Sequence, residues 1–214
     1  MTEVEWESGT DPDPMLRFVR GKASERKLRL FAAASFRRLD ALLPDPRQQR
    51  GIEVLEQLAE GGITLDSCRG VVTGVRHAIP PDDRVPGSPP ADHLHFAALM
   101  LYREFYSSSI AAHAVLAPAA LADGAGELHE QARLMRCIIG NPFRPMRVEP
   151  RWLIPTVVSL AQAIYEERDI DRLPVLADAL EEAGCDDRGL LAHCRGEGPH
   201  ARGCWAIDSI LGKE

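Results

Sequence analysis

Residues 24–44, SERKLRLFAAASFRRLDALLP, decide the fold class. Within them Leu28, Phe31, Ala32, Ser35, Leu39 and Leu42 recur at spacings of three and four, the period of one face of an α-helix. Ser24 can cap the start, because its hydroxyl accepts from a free N–H of the first turn. Pro44 ends the run, since proline has no N–H to give and crowds the preceding turn. Ser35 is the one polar member of the stripe, and its hydroxyl can bond back to the turn before it.

Outward from this stretch the same period continues. Toward the amino terminus, Asp13-Pro14 supplies a cap and a first-turn proline, and Gly21 a stop, which predicts a short helix over 15–20. In the other direction, Asp45-Pro46 opens a helix with Ile52, Leu55 and Leu58 on one face, closed by Gly61-Gly62. Thr64 can cap a fourth, on which Leu65, Cys68, Val72 and Val75 line up. Behind Asp92 a helical region runs through His95, Leu99, Tyr102 and Phe105 to about Leu116. A further helix over 126–139 carries Leu128, Ala132, Met135 and Ile139, and Gly140 stands where a left-handed residue terminates it. Asn141-Pro142-Phe143-Arg144-Pro145 reads as non-helical, because a residue before proline is pushed toward extended geometry. After Pro150 the helices resume. One carries Val157, Leu160, Ala161 and Ile164; one spans 172–183 behind Asp171; a short one runs to Cys194 behind Asp186; the last covers 204–211. No window alternates with a period of two. The expected class is all-α, as an irregular helical bundle or a short solenoid of helix pairs. Residues 79–92, IPPDDRVPGSPPAD, hold five prolines and read as a linker or long loop between regions 1–78 and 93–214, or as a loop within one domain.

The 214 residues are 45% hydrophobic and 27% charged, enough for a real core. Apolar runs are too short for a membrane-spanning helix, and MTEVEWESGTDPDP has no apolar stretch of the secretory kind. With five cysteines, an odd number without framework spacing, this predicts a cytoplasmic protein with reduced thiols and no membrane association. A net charge of −7 argues against a surface that coats nucleic acid throughout. Of 25 basic residues only Lys22, Lys27 and Lys213 are lysine, so arginine carries little selective meaning. Asn141 is the single asparagine.

Four constellations carry chemistry. The densest is Cys185, His193, Cys194, His200 and Cys204, a C-x7-H-C-x5-H-x3-C spacing. Zinc takes four thiolate or imidazole ligands in a tetrahedron. Cys194, His200 and Cys204 flank a glycine-rich turn that could bring them together, with Cys185 or His193 as the fourth. Neighbours such as His193 and Cys194 project about 100° apart on a helix, so one ion rarely takes both. The competing reading makes the cysteines small core residues, with no cofactor at all. A second set, His93, His95 and His113 with Glu104, suits a metal only if the intervening helix breaks. Third, Arg144, Arg195 and Arg202 sit in loops shaped by glycine and proline, where they could meet an anion or a partner's carboxylate. The alternative is internal pairing with the nine acids between Glu166 and Asp187. Fourth, eight basic residues lie between Arg17 and Arg38 against Glu25 alone. There Arg26 and Arg37 would face away from Leu28, Phe31 and Ser35, toward a protein or nucleic-acid partner. Phosphate-loop, dinucleotide, nucleophile-elbow and metalloprotease signatures are absent.

The blocks EVEWESGTDPDPMLRFVRGKASERKLRLFAAA, RCIIGNPFRP and IYEERDIDRLPVLADALEEAGCDDRGLLAHCRGEGPHARGCWAIDSILG together resemble a family of helical proteins from bacteria with large genomes, for which no activity is established. RLPVLADALEEAGC is also loosely similar to the repeat-companion domain. The resemblance implies a helical module with a distinctive carboxyl-terminal block and transfers no activity. Members of that family often carry a Cys-Cys pair where this chain has Ser35 and Phe36, so a metal or redox role needing that pair is not available here. The resulting expectation is a non-catalytic helical interaction module, an accessory subunit whose partner is another protein. A zinc-stabilised or metal-dependent domain and a nucleic-acid accessory protein are the alternatives.

Overall fold

The computed structural model describes residues 1–38, 45–78 and 124–213. Every regular element among them is helical, with ten α-helices and no strand, and the helix pairs pack as a bundle. The chain divides into two compact units, Met1–Ala132 and Arg133–Glu214. Residues 79–92, read as the linker, lie outside the described residues, as do Leu39, Leu42 and the region of His93, His95, Glu104 and His113. No helix among the described residues is long and apolar enough to cross a membrane.

In the first unit, α1 (Glu3–Ser8) begins in a capping box that periodicity cannot see. The Glu5 N–H donates to Thr2 Oγ1 at 3.3 Å and the Thr2 N–H to Glu5 Oε2 at 2.7 Å, so two orphan donors are satisfied reciprocally. Six residues with one buried side chain, Trp6, give no stripe. Helix α2 (Pro12–Val19) starts earlier than Asp13-Pro14 suggests. DPDP offers two cap-proline pairs, and Asp11 takes the cap by accepting from the Asp13 N–H at 2.9 Å. Both prolines then fall in the first turn, where their missing N–H costs nothing. Helix α3 (Glu25–Arg37) is capped by Ser24, as the sequence suggests. It buries Leu28, Leu30, Phe31, Ala32, Ala33, Ser35 and Phe36, a broader face than the stripe of six. Ser35 Oγ is buried without a hydrogen-bond partner, so its hydroxyl does not bond back; a small side chain sits here for its size. Helix α4 (Pro46–Ala59) packs on α3 and on α5 (Arg69–His77). The latter starts four residues later than a Thr64 cap implies, because Thr64 and Ser67 hydrogen-bond to each other's backbone N–H groups and hold a turn instead. Leu65 is consequently exposed, while Cys68, Val72 and Val75 are buried.

Helix α6 (Gly124–Ile139) belongs to the first unit through Ala132 and to the second from Arg133. Gly140 ends it at φ +77°, the left-handed conformation read from its position. Four helices follow: α7 (Pro155–Glu167), α8 (Leu173–Glu182), α9 (Arg188–Arg195) and α10 (Trp205–Leu211). Helix α7 packs on α8 and α10, α8 on α9, and α9 on α10, so the last helix closes back on the first. Inside the ring lie Val157, Ala161, Ile164, Leu173, Leu176, Leu180, Leu190, Ile207 and Ile210, with Trp152 from the preceding turn. Asp187, not Asp186, caps α9, accepting from the Leu190 N–H at 2.8 Å. No side chain caps α8; a 3-10 turn over Ile170–Arg172 leads into it where Asp171 was expected as the cap.

Candidate metal centre

Four ligand atoms of the second unit converge: those of Cys137, His193, His200 and Cys204, all within 4.8 Å of one another. Each comes from a different local structure. Cys137 lies in the last turn of α6, His193 on α9, His200 in the loop that leaves α9, and Cys204 at the N-cap position of α10. Glycines at 196, 198 and 203 let the nine residues between the two helices double back, and Gly203 does so at φ +88°.

The atoms are aimed as ligands. His193 Nε2 stands 3.1 Å from Cys204 Sγ, and His200 Nδ1 stands 3.7 Å from Cys137 Sγ. The edges of a zinc tetrahedron built from Zn–S of about 2.3 Å and Zn–N of about 2.0 Å run from about 3.3 to 3.8 Å. The quartet is therefore close to the size that one ion would set. On the far side of the His200 ring, Nε2 lies 3.1 Å from the Gly196 carbonyl. Donation to that oxygen places the proton on Nε2 and leaves the Nδ1 lone pair for a metal. The His193 ring is held edge-on to His200, with centroids 4.8 Å apart, and against Trp205 at 4.9 Å. Trp205 in turn rests on Gly140, where an added Cβ would come within 3.1 Å of the indole. Arg133 donates to the Glu197 carbonyl and pins the loop at its other edge.

The electrostatics favour the charged forms of Cys204 and His200. Hydrogen bonding from the Cys137 thiol, joined by His193 and His200, holds the Cys204 thiol well below the usual cysteine range, against the opposing effect of burial. For His200, burial disfavours the imidazolium, but the hydrogen bonds to Cys204 and the Gly196 carbonyl outweigh it and raise the group. Cys137 and Cys204 are 3% and 1% exposed, and both histidines are half-buried. The arrangement brings together four candidate ligands with the sulfurs away from solvent, the donor set and burial of a closed structural site.

The quartet includes some of the candidates read from the sequence, His193 as the alternative fourth ligand among them. His200 and Cys204 are in the quartet; Cys185 and Cys194 are not. Cys194 packs into the core with Leu190 and Leu191, and burial pushes its thiol up to about 12. Cys185 is likewise buried in the core, its thiol pushed up by burial. The reason is helical geometry. On α9 the neighbouring His193 and Cys194 diverge by about 100°, so only one can face the site, and the apolar core takes the sulfur. The remaining ligand, Cys137, stands 56 positions before His193, outside any local spacing pattern. Its only signal is its place at the end of a helix, three residues before Gly140.

The arginines proposed as binding groups are mostly engaged within their own units. Arg26 and Arg37 do not face outward: Arg26 pairs with Glu60 at 3.0 Å and Arg37 with Glu56 at 2.6 Å. Helix α4 lies against the side of α3 that the apolar stripe alone would assign to solvent, and its acids meet those guanidiniums. Arg17, Arg29 and Arg38 also meet acids, at Asp13, Glu25 and Glu127. Arg195 bridges Asp178 and Glu181 at 2.7 and 2.6 Å, inside the acidic stretch that offered the alternative reading. Arg202 lies over the Tyr165 ring at 4.8 Å. Arg144 is exposed on a turn that Asn141 builds by accepting from the N–H groups of Phe143 and Arg144 at 2.9 and 3.3 Å.

Compared with known proteins, the chain matches no family model, no curated protein and no solved structure.

Proposed function

We propose that the second unit is a zinc-stapled helical module, in which Cys137, His193, His200 and Cys204 hold one zinc ion whose role is structural. The observation that supports this reading is the convergence of two sulfurs and two imidazole nitrogens, from four separate elements, within 4.8 Å. Two thiolates and two imidazoles are a borderline-soft donor set that suits zinc over calcium or magnesium. With four protein ligands no position is left for water or substrate, so the ion would tie α6, α9, the glycine-rich loop and α10 together without catalysing a reaction. The test is reconstitution of metal-free protein with zinc or cobalt. One zinc per chain by elemental analysis is expected. Cobalt should give the visible bands of a tetrahedral thiolate site. Cys137→Ser and Cys204→Ser should each lower affinity at least tenfold, whereas Cys194→Ala should leave stoichiometry unchanged. Zinc below stoichiometry in the reduced wild-type protein would defeat the reading.

The wider role we read as non-catalytic presentation to another protein. The Asn141 turn supports it, because it holds Phe143, 37% exposed, beside Arg144 at the surface of the same unit. An exposed aromatic beside an arginine is the pairing that dominates protein interfaces. Against the nucleic-acid alternative, ion pairs engage five of the eight basic residues of the 17–38 segment, Arg17, Arg26, Arg29, Arg37 and Arg38.

A further inference from the structure

We propose that the site is also a hydroperoxide-responsive switch, in which oxidation joins Cys137 to Cys204 as a disulfide and expels the zinc. The inference rests on the zinc reading and adds regulation to it. Its basis is the placement of the two sulfurs. Cys137 Sγ and Cys204 Sγ lie within 4.8 Å of each other and on the same four-atom cluster, so no intervening side chain separates them. A disulfide needs them at about 2.05 Å. The approach is available because Cys204 follows the glycine-rich loop, where Gly196, Gly198 and Gly203 leave the backbone free to adjust. Cys137 lies in the last turn of α6, three residues before Gly140.

Access selects the oxidant. Both sulfurs are almost wholly buried, but the two imidazoles that complete the cluster are half-buried and form its outer edge. With the sulfurs 3% and 1% exposed, the oxidant expected to reach them is a small hydroperoxide rather than a peptide disulfide such as oxidised glutathione. The step balances as follows. The two zinc-bound thiolates give two electrons to hydrogen peroxide, the O–O bond breaks as the S–S bond forms, two protons are taken up, and the products are the disulfide, two waters and free zinc. Charge is conserved, because the dithiolate that neutralised the ion no longer exists. After oxidation α6 and α10 are joined covalently, whereas His193 on α9 and His200 in the loop no longer share an ion. The oxidised, metal-free module thus keeps α10 tied to α6 and loses the ion's hold on α9 and on the segment from Gly196 to Gly203.

The experiment treats the reduced, zinc-loaded full chain with hydrogen peroxide and follows zinc with a chromophoric chelator, then maps disulfides by peptide mass spectrometry. One zinc released per Cys137–Cys204 link is expected. Reversal by a dithiol plus zinc, and at least tenfold slower release with oxidised glutathione, are expected as well. Cys185→Ala and Cys194→Ala, which remove the other cysteines of this core, should respond as the wild type does. Links through Cys194 or Cys185, sulfinic acids without a link, or zinc retained after peroxide would each overturn the switch while leaving the zinc reading intact. A protein that holds no zinc before peroxide is added overturns both.

Discussion

At the scale of single residues, two glycines and one histidine are diagnostic. Gly140 and Gly184 both sit at positive φ, +77° and +82°, so any side chain costs backbone strain at either position. Only at Gly140 would a Cβ also meet the indole of Trp205, at 3.1 Å. Gly140→Ala is therefore expected to destabilise by about 2–3 kcal/mol and Gly184→Ala by about 1 kcal/mol. Denaturant titration of the two variants measures both. Equal losses would mean that the Gly140–Trp205 contact carries no energy. His200 supplies the pH dependence. Its group is raised above the ordinary 6.5, so in the metal-free fold the proton stabilises the site below that value, and this contribution is lost as pH rises through the folded value. Zinc needs the neutral ring and must displace that proton. Apparent zinc affinity should therefore fall as pH is lowered from above 6.5, which chelator competition at stepped pH would register. A flat profile would remove His200 from the ligand set. Residue type alone marked His200 and Cys204 as ligand candidates. Whether Cys194 or its neighbour joined the quartet depended on the rotation of α9 against its core.

Among the elements, side-chain capping sets several helix starts, and it was readable in part. Ser24 and Asp45 cap α3 and α4 as their place before the apolar stripe requires, and each gives the backbone a partner that water would otherwise supply. The misreadings share one cause. DPDP offers two equivalent starts, Asp186-Asp187 offers two adjacent carboxylates, and Thr64 has Ser67 as a closer partner, so chemistry alone leaves the register open by one to four residues. Asp187 matters beyond α9 itself because that helix carries His193. Asp187→Ala removes the bond from the Leu190 N–H and should cost about 1 kcal/mol of stability. It should also weaken zinc binding several-fold, which isothermal titration would detect. Restoration of the affinity by Asp187→Ser, another capping residue, would separate loss of the cap from loss of charge. Were zinc affinity unaffected by Asp187→Ala, the start of α9 would not be what orients His193.

For the molecule as a whole, the division into two units makes the effect of metal regional. Zinc removal by a chelator should accelerate amide hydrogen exchange in residues 133–140 and 193–211, where the ligands lie, and leave 12–37 and 46–59 unchanged, since those helices are held by Phe31, Phe36, Ile52 and Leu55 and by the Arg37–Glu56 and Arg26–Glu60 pairs. Uniform acceleration would contradict a local staple. The sequence by itself determined the helical class, most helix ends and the identity of the reactive side chains, because periodicity and capping act between residues a turn apart. Only the tertiary structure decided that Cys137 joins His193, that Cys194 is spent on the core, and that Arg26 and Arg37 turn toward α4. A metal site and a buried ion pair depend on which helix faces come together, and that is set by packing many side chains at once, which no spacing along the chain encodes.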